Sequence, residues 1–492
     1  MGVWFRKKII FLLIFSLFLS LEFGVEAHSG KKKSKPSISK KSKLSRASAS
    51  KHITKSKIKK KRKKKPRLVV PKVLLNQMKI LDSQELSKGV FYKQIQFGTD
   101  ELRILVHLIE VDIDSTPYQV RLLKAKNTVD GLDYIRNIYD DFQFELTRIY
   151  GGDLIAISNA NFWSAFMNYP IGIFVTEGEV ISMKKYKEWS TVFFDEENRP
   201  YIDNFELFGE IILPDGHRVR IDNVNRRSET DVLVLYNKYF GDTIPKVHIK
   251  DLEKLVDETI SAIIQNSDFT DTTEIEIDTN EIRNQIINSK KEESKEFSTR
   301  KLVFRYLEQP AINRKILVEF LGYDSSVVKI PSNGFIFTLP AEKGNLLKLK
   351  RGEKCYLYFS TDRLRYIKFT NAVSGTPRLV RKGVAKHEAY QEGSRGFRFI
   401  GAQLPRTAIG TNMSKTKIFL FVAEASKTNR SLGANLSQLS IIAKKIGCFD
   451  AMNLDGGGSS IMLVNGKKVG SNGESNGRRI SGAIGISVRN KK

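Results

Sequence analysis

The 492-residue sequence is poor in the residues that build metal centres and disulfide frameworks. It contains two cysteines and six scattered histidines, and it has no C-x-x-C or H-E-x-x-H pattern. Two cysteines are too few for a disulfide scaffold, although Cys355 and Cys448 could form one long-range bridge or remain as two buried free thiols. The sequence therefore predicts no zinc site and no evident cofactor, and it leaves open a divalent cation held by carboxylate oxygens.

Long apolar runs are also scarce. One such run covers residues 9–23 after the basic residues Arg6, Lys7 and Lys8, and the small residues Val25 and Ala27 then flank Glu26 in a sequence suited to cleavage. This layout is typical of a secretory signal peptide over residues 1–27, with an uncleaved N-terminal anchor as the alternative. We expect an exported protein that is periplasmic, held in the cell envelope or secreted.

Acidic residues are absent from residues 31–67, which hold 19 Lys or Arg and account for most of the net charge of +28. The Lys- and Ser-rich residues 28–67 have almost nothing to bury, which predicts a disordered basic tail. An anionic envelope surface, such as phosphate-bearing glycans or lipid headgroups, would attract this tail, and a solvated linker without a partner is the alternative. The tail has no aromatic residue to stack on bases, so no specific nucleic acid is expected.

Residues 68–490 mix strand and helix patterns and predict one domain of the α+β (mixed α/β) class. The runs LRILVHLIEV (102–111) and DLIAIS (153–158) are typical of strands, and a helix is expected over residues 129–142. We expect a twisted mixed β-sheet core flanked by helices. Residues 250–300 are charged and polar, which indicates an insertion or a mobile segment.

A strand–helix–strand unit is predicted near the C-terminus. IFLFVA (418–423) is typical of a strand, Asn435 and Gln438 form a capping-box pattern, and Gly447 is placed to end the helix that follows. A second strand is expected at residues 449–454. A crossover of this kind joins two parallel strands, so Asp455 would lie at the carboxyl end of a strand, where open α/β sheets place their ligands.

The string NLDGGGSS (453–460) follows directly. Its glycines allow positive φ and close backbone approach, and successive N–H groups in such a turn can bind an anion. A tight turn between two strands is the alternative interpretation. The position after the crossover favours a functional loop.

NLDGGGSS, together with PRTAIG at residues 405–410, resembles the phosphodiester glycosidase domain family. NANFW (159–163), SGTPRLV (374–380), GANL (433–436) and RISGA (479–483) fit weaker family segments in order, so the resemblance spans roughly residues 85–490. The sequence departs from the family at residues 422–425, where VAEA stands in place of Val-Asp-Gly-Arg. The acidic residue is shifted by one position, and the glycine and arginine are missing.

The resemblance implies an exported hydrolase that cleaves a sugar-1-phosphodiester in an envelope or extracellular glycan, with an oxocarbenium-like transition state. The alternative is a non-catalytic envelope protein that keeps the glycine-rich loop as a glycan or anion site. Asp455 is the expected catalytic carboxylate and Glu424 the candidate second one. Expected phosphate and sugar contacts are Arg406, Thr407, Gly456, Gly457, Gly458, Ser459, Ser460, Asn159, Asn161 and Arg479. A structural ion pair of Arg406 with Asp455 or Glu424 is the alternative for that arginine.

Overall fold

The computed structural model describes residues 68–150, 152–164, 167–246, 279–471 and 477–488, and Val69–Lys492 form a structural unit of their own. The predicted signal peptide and basic tail lie outside the described residues, as do residues 250–278 of the predicted charged segment. Within the described part of the chain, no helix is long and apolar enough to cross a membrane.

Strands are numbered β1–β30 and helices α1–α4 in chain order. The first sheet comprises β1 (Met78–Ser87), β2 (Val90–Gly98), β3 (Arg103–Asp112), β21 (Arg378–Arg381), β22 (Val384–Ala385), β23 (Arg406–Thr411), β24 (Lys417–Ala423), β25 (Ala425–Ser426), β26 (Ser431–Leu432) and β27 (Asp450–Asn453). The second sheet comprises β10 (Leu207–Ile212), β11 (Arg218–Ile221), β12 (Asn223–Val224), β13 (Val234–Asn237), β15 (Thr299–Tyr306), β16 (Lys315–Asp324), β18 (Gly334–Pro340) and β19 (Lys354–Thr361).

Three smaller sheets complete the described strands. The third is β14 (Thr243–Ile244) with β17 (Val328–Lys329). The fourth comprises β6 (Phe174–Thr176), β7 (Glu179–Ser182), β8 (Ser190–Asp195), β9 (Pro200–Asp203) and β20 (Phe369–Gly375). The fifth comprises β4 (Tyr118–Lys124), β5 (Leu154–Asn159), β28 (Met462–Val464), β29 (Lys467–Val469) and β30 (Gly482–Val488).

The helices are few. The α-helices of the described residues are α1 (Ile135–Tyr150), α2 (Thr279–Ser294), α3 (Phe397–Gly401) and α4 (Leu436–Lys445). Short 3₁₀ turns cover Lys72–Asn76, Ala125–Asn127, Lys295–Ser298, Ala341–Leu346 and Gly457–Ser459. The helix expected over residues 129–142 is present, but it begins later, at Ile135.

Strands dominate this fold, so the predicted mixed class is confirmed only in part. Among the described strands, all pairings are antiparallel except β12 with β13 and β26 with β3. The second sheet shows why such strands form. In β19, Lys354 and Tyr356 are exposed and alternate with the buried Cys355 and Leu357, a period of two that gives one solvated and one packed face.

The first sheet is covered on both faces, which explains why every residue of β3 except the two at its ends is buried. Val106 and Leu108 pack into one buried cluster with the helix residues Leu436 and Leu439, whereas Ile109 lies in a second cluster on the opposite face. The helix α4 thus covers one face of the sheet. Asn435 caps this helix as predicted, because its side chain accepts from Gln438 N at 2.9 Å and Gln438 Oε1 accepts from Asn435 N at 2.9 Å.

The predicted strand–helix–strand crossover is present, and its two strands, β24 and β27, are separated in the sheet by β23. The order of the main path of the first sheet is β1-β2-β3-β24-β23-β27-β21-β22. Both β24 and β27 pair antiparallel with β23, so they run parallel to each other, and α4 connects them in the chain. Residues that follow β24 and β27 therefore emerge at the same edge of the sheet. Glu424 and Asp455 are two such residues.

Candidate active site

The glycine-rich loop is held against the start of β23 by backbone hydrogen bonds. Leu454 N donates to Thr407 O at 2.8 Å, and Gly457 N donates to Pro405 O at 2.8 Å. Gly457 has a φ of +62°, a left-handed conformation that glycine adopts without steric cost. The chain then forms a single 3₁₀ turn to Ser459. The loop is thus a fixed turn at the strand edge, built around backbone groups of the PRTAIG segment.

Asn159, at the end of β5, fastens the same loop from the neighbouring sheet. Its Nδ2 donates to the Asp455 carbonyl oxygen at 2.7 Å. Its Oδ1 accepts from Thr407 Oγ1 at 2.7 Å and from Ile461 N at 3.1 Å. Asn159 and Thr407 are fully buried. Both predicted contact residues therefore lie at the loop, where their hydrogen bonds hold it in place.

The Asp455 carboxyl is half-buried at the centre of this arrangement. Its Oδ1 accepts from Gly456 N at 2.9 Å, and Ser459 donates a side-chain hydrogen bond to the carboxyl. Burial raises the pKa of Asp455 to about 6, against the opposing effects of the Ser459 hydrogen bond and the Arg478 charge. A carboxyl with a pKa near neutrality in a glycine-rich turn has the property expected of a catalytic acid or base.

The arginine that acts on Asp455 is Arg478, the neighbour of the predicted Arg479. The guanidinium of Arg478 lies 5.3 Å from the centre of the Trp163 ring and stabilises the charged form of Asp455. Its Nε is buried and has no hydrogen-bond partner among the described residues. Arg479 is exposed and lies over the ring of Tyr134 at 5.6 Å. In the printed sequence only the Arg-Arg pair signals this site, and it does not indicate which arginine faces the carboxylate.

Arg406 is enclosed and makes no ion pair with either predicted carboxylate. Its Nε donates to Ala434 O at 3.1 Å, and its Nη2 donates to Phe399 O at 2.6 Å and to Ala402 O at 3.2 Å. Burial lowers its pKa to about 10. A β-carbon at Gly456 would lie 3.7 Å from Arg406 Cδ, so the side chain borders the loop while its donors hold backbone carbonyls.

Glu424 belongs to a second buried network. Its Oε2 is 2.9 Å from His107 Nε2, and its Oε1 accepts from Asn429 Nδ2 at 2.8 Å and from Ser471 N at 3.0 Å. Tyr92 Oη lies 2.8 Å from His107 Nδ1 and extends the chain of contacts. Burial alone would raise the pKa of Glu424, but the hydrogen bond and charge of His107 and the other donors lower it.

Gly470 packs directly against this network. A β-carbon at Gly470 would lie 2.8 Å from His107 Nε2 and 3.3 Å from Glu424 Oε2, and the residue has a φ of +75°. Sequence analysis missed His107 and Tyr92, because a single histidine inside an apolar strand carries no local signal. The strand register is what brings them together, since β3 pairs with both β2 and β24.

The remaining predicted residues lie along the same loop or beside it. Asn161 is buried, with Nδ2 donating to Phe162 O at 3.0 Å and Oδ1 without a hydrogen-bond partner in the described ranges. Ser459 and Ser460 are buried, whereas Gly458 is exposed. The structure brings together the loop with Asp455, Asn159 and Thr407, which are in direct contact. Glu424 lies at the same sheet edge, two strands away.

Other chemistry is limited in the part of the chain that the structure describes. No three His, Cys, Asp or Glu side chains there converge in an arrangement that could hold a metal ion. Cys355 and Cys448 are free and buried, so the bridge left open by the sequence is absent. Burial raises the pKa of the Cys355 thiol to about 12 and that of Cys448 well above its ordinary value.

These features define a β-rich protein in which a glycine-rich loop that carries the Asp455 carboxylate follows the end of β27. In a sequence comparison, residues 315–487 match the family model described as phosphodiester glycosidase. The resemblance drawn from NLDGGGSS and PRTAIG is thereby confirmed, since both strings lie within the matched residues. No curated protein sequence matches the chain.

Two solved structures with TM-scores above 0.5 share the fold at low sequence identity. A hypothetical protein from Synechocystis aligns with a TM-score of 0.53 and 16% identity over 83% of this chain and 64% of its own, so this chain spans less than two thirds of that protein. A predicted exported protein from Burkholderia pseudomallei aligns with a TM-score of 0.52 and 13% sequence identity, and the alignment covers 86% of this chain and 98% of that protein. The zebrafish N-acetylglucosamine-1-phosphodiester α-N-acetylglucosaminidase catalytic domain, auto-inhibited by its pro-peptide, aligns with a TM-score of 0.37 and 11% sequence identity. The alignment covers 84% of this chain and 88% of the zebrafish chain.

Proposed function

We propose that this protein is an exported hydrolase that cleaves the bond between a sugar and the phosphate of a sugar-1-phosphodiester. The observation that carries the proposal is the position of the Asp455 carboxyl, which follows β27 within the glycine loop, where the charge of Arg478 favours its ionised form. The phosphodiester glycosidase match over residues 315–487 supplies the reaction class.

The reaction needs a carboxylate more than it needs a strong general acid. When the bond between the anomeric carbon and the phosphate oxygen breaks, the bonding electrons leave with the phosphate and positive charge develops on the sugar. A phosphate monoester is a far better leaving group than a sugar alkoxide. Asp455 stabilises or attacks the cationic carbon, or takes a proton from the water that adds to it, and it is ionised in each of these roles.

The departing phosphate needs fixed positive charge and N–H donors. Arg478 offers a buried Nε that no described residue uses, and its charge acts on the Asp455 carboxyl. Guanidinium groups match phosphate oxygens, so we assign Arg478 the main contact, with Gly456–Ser460 and Arg479 at the margin. Arg406 uses its donors to bind backbone carbonyl oxygens. We infer that it supports the loop by packing beside Gly456 and does not contact the substrate.

The substrate is proposed to be a glycan of the cell envelope or the extracellular space. The sequence pattern of residues 1–27 favours export, and the basic residues 28–67 suit an anionic surface. A glycosidase family implies a glycan-type substrate. The tail would then keep the enzyme near a phosphate-bearing polymer by charge attraction, which falls as salt is added.

The test is turnover by the purified protein. An N-acetylglucosamine-1-phosphodiester and a panel of other sugar-1-phosphodiesters should release free sugar and a phosphate monoester, and Asp455→Asn should abolish the release while still folding. Binding across the panel without turnover would favour the non-catalytic envelope protein instead. Full activity of Asp455→Asn would remove Asp455 from the mechanism.

A further inference from the structure

Aromatic side chains from three separate segments meet beside the glycine loop. The ring centre of Phe162 lies 5.2 Å from that of Trp189 and 6.3 Å from that of Phe399, with interplanar angles of 61° and 68°. Tyr186 extends the group, 4.9 Å from Trp189. We call Phe162, Trp189 and Phe399 the aromatic cluster. Its residues come from the loop after β5, the start of β8 and helix α3.

Two backbone contacts place the aromatic cluster against the site. Asp455 N donates to Ala160 O at 2.9 Å, and Phe162 follows two residues later. In the second contact, Arg406 Nη2 donates to Phe399 O at 2.6 Å, and the Arg406 side chain borders Gly456. The loop that carries the Asp455 carboxyl is therefore bonded to the segment that leads to Phe162, and it borders the arginine that binds the backbone of Phe399.

The aromatic cluster lies at the margin of the apolar core, where Phe399 packs against the buried cluster that contains Leu436 and Leu439. Phe162 and Phe399 are only half-buried, and Phe162 and Trp189 belong to none of the core clusters of the described residues. Trp189 is 8% exposed, yet its Nε1 has no hydrogen-bond partner among those residues. Buried indole N–H groups usually have an acceptor, so this donor calls for a ligand oxygen.

A second donor without a partner lies in the segment between Phe399 and Arg406. Gln403 is 5% exposed, and its Nε2 has no hydrogen-bond partner in the described part of the chain. Gln403 follows Phe399 in the short segment that leads to Arg406, whose guanidinium carbon is 5.5 Å from the Phe399 ring centre. The aromatic cluster thus contains one buried N–H donor without a partner among the described residues, at Trp189, and a second such donor follows Phe399 in the chain, at Gln403.

We propose that the aromatic cluster is the subsite for the sugar ring that is joined to the phosphate. A pyranose presents C–H groups that pack on aromatic rings and hydroxyl oxygens that accept from N–H donors, and this cluster supplies both complements. Trp189 Nε1 and Gln403 Nε2 donate to sugar oxygens while Arg478 holds the phosphate. The inference rests on the proposed function, because it assigns the sugar side of the same site.

Binding to an inactive protein tests the subsite separately from turnover. In the Asp455→Asn background, calorimetric titration would compare N-acetylglucosamine 1-phosphate and glucose 1-phosphate with glycerol 3-phosphate and inorganic phosphate. We expect at least one sugar phosphate to bind about tenfold more tightly than the two ligands without a ring. Equal affinity for all four ligands would overturn the inference.

Two variants and one control test whether the aromatic cluster causes the tighter binding of sugar phosphates. Trp189→Phe keeps an aromatic ring but removes the N–H donor, and Phe399→Ala removes a half-buried ring; each should reduce sugar phosphate affinity about tenfold and leave glycerol 3-phosphate affinity unchanged. Phe144→Ala, on the exposed face of α1, is the matched control and should change neither affinity. Equal losses for all ligands, or no loss in either variant, would overturn the inference.

The outcomes also separate this inference from the proposed function. Ring-dependent binding that these variants weaken, in a wild-type protein without turnover, keeps the sugar subsite and rejects the hydrolase. Turnover by wild type combined with ring-independent binding keeps the hydrolase and rejects the subsite.

Discussion

Asn159 Nδ2 donates a hydrogen bond of 2.7 Å to the carbonyl oxygen of Asp455, and Asp455 N donates to Ala160 O at 2.9 Å. The two residues are distant in the chain, and this pair of bonds links the loop after β27 to the end of β5. The position of the carboxyl group thus depends on a buried amide in another sheet. Asn159 holds the backbone of the loop, and the sugar contact that the sequence predicts for it stays a prediction.

The pH dependence of turnover should follow Asp455. Since its pKa is raised to about 6 and the ionised form is required, kcat/KM should rise as the pH increases from 5 to 7, with a midpoint near 6. Measurement of kcat/KM for one sugar-1-phosphodiester across this range checks it. A flat profile, or activity that falls over the interval, would contradict the assignment.

The same burial makes Asp455 costly for stability. A carboxyl with a folded pKa of about 6 against an ordinary 3.8 stabilises the fold only while protonated, so its contribution is lost as the pH rises from about 4 through 6. Asp455→Asn should therefore be more stable than wild type by about 2 kcal/mol at pH 7. Urea unfolding at pH 7 and pH 4 measures the difference, which should nearly vanish at the lower pH. A less stable variant at pH 7 would argue against this electrostatic cost.

Asn159 and Asn161 should respond differently to truncation. Asn159→Ala removes four side-chain hydrogen bonds and leaves buried partners unsatisfied, so we expect a loss of about 3 kcal/mol in the free energy of unfolding. Asn161→Ala removes one hydrogen bond to Phe162 O, and we expect a loss of about 1 kcal/mol or less. Denaturant unfolding of both variants gives the comparison. Equal losses would show that Asn159 does not have the anchoring role.

Glu424 should contribute stability that depends on its charge. Its pKa is lowered in the folded state, so its contribution is present above its ordinary pKa and is lost as the pH falls below about 4.5. Glu424→Gln leaves His107 without its carboxylate, and we expect a loss of about 3 kcal/mol at pH 7 that shrinks on acidification.

A surface pair provides the control for Glu424. Glu210→Gln breaks the exposed contact with Arg218 at 2.7 Å, and it should cost less than about 1 kcal/mol. Unfolding free energies at pH 7 and pH 4 distinguish the two. If Glu424→Gln lowered the free energy of unfolding no more than the control does, the buried network would not contribute to stability. A direct catalytic role for Glu424 would then gain support.

The two cysteines should be unreactive while the protein is folded. Both thiols are buried, and burial raises the pKa of Cys355 to about 12, so the reactive thiolate is rare at neutral pH. A thiol reagent such as Ellman's reagent should label two groups rapidly in denaturant and neither group in native protein over minutes. Rapid labelling of native protein would contradict the buried positions.

Much of the C-terminal half could be predicted because its signals are local. The capping box at Asn435, the apolar stripe of α4 and the helix end at Gly447 follow from neighbouring residues, and the structure confirms each. The predicted strand at residues 102–111 is confirmed as β3, shifted by one residue. The fold class was less accurate, because strand patterns do not specify partners, and antiparallel pairing between distant strands made this protein mostly β.

The sequence by itself determined that a carboxylate, three glycines and two hydroxyls follow a strand, since spacing and turn chemistry are properties of a short segment. Only the tertiary structure decided that Arg478 acts on Asp455, that Arg406 is occupied by carbonyl groups, and that Asn159 anchors the loop. It also formed the contacts of Glu424 with His107 and of Phe162 with Trp189 and Phe399. These contacts join residues from separate sheets or segments, and the strand register and packing that create them are not encoded in any single segment.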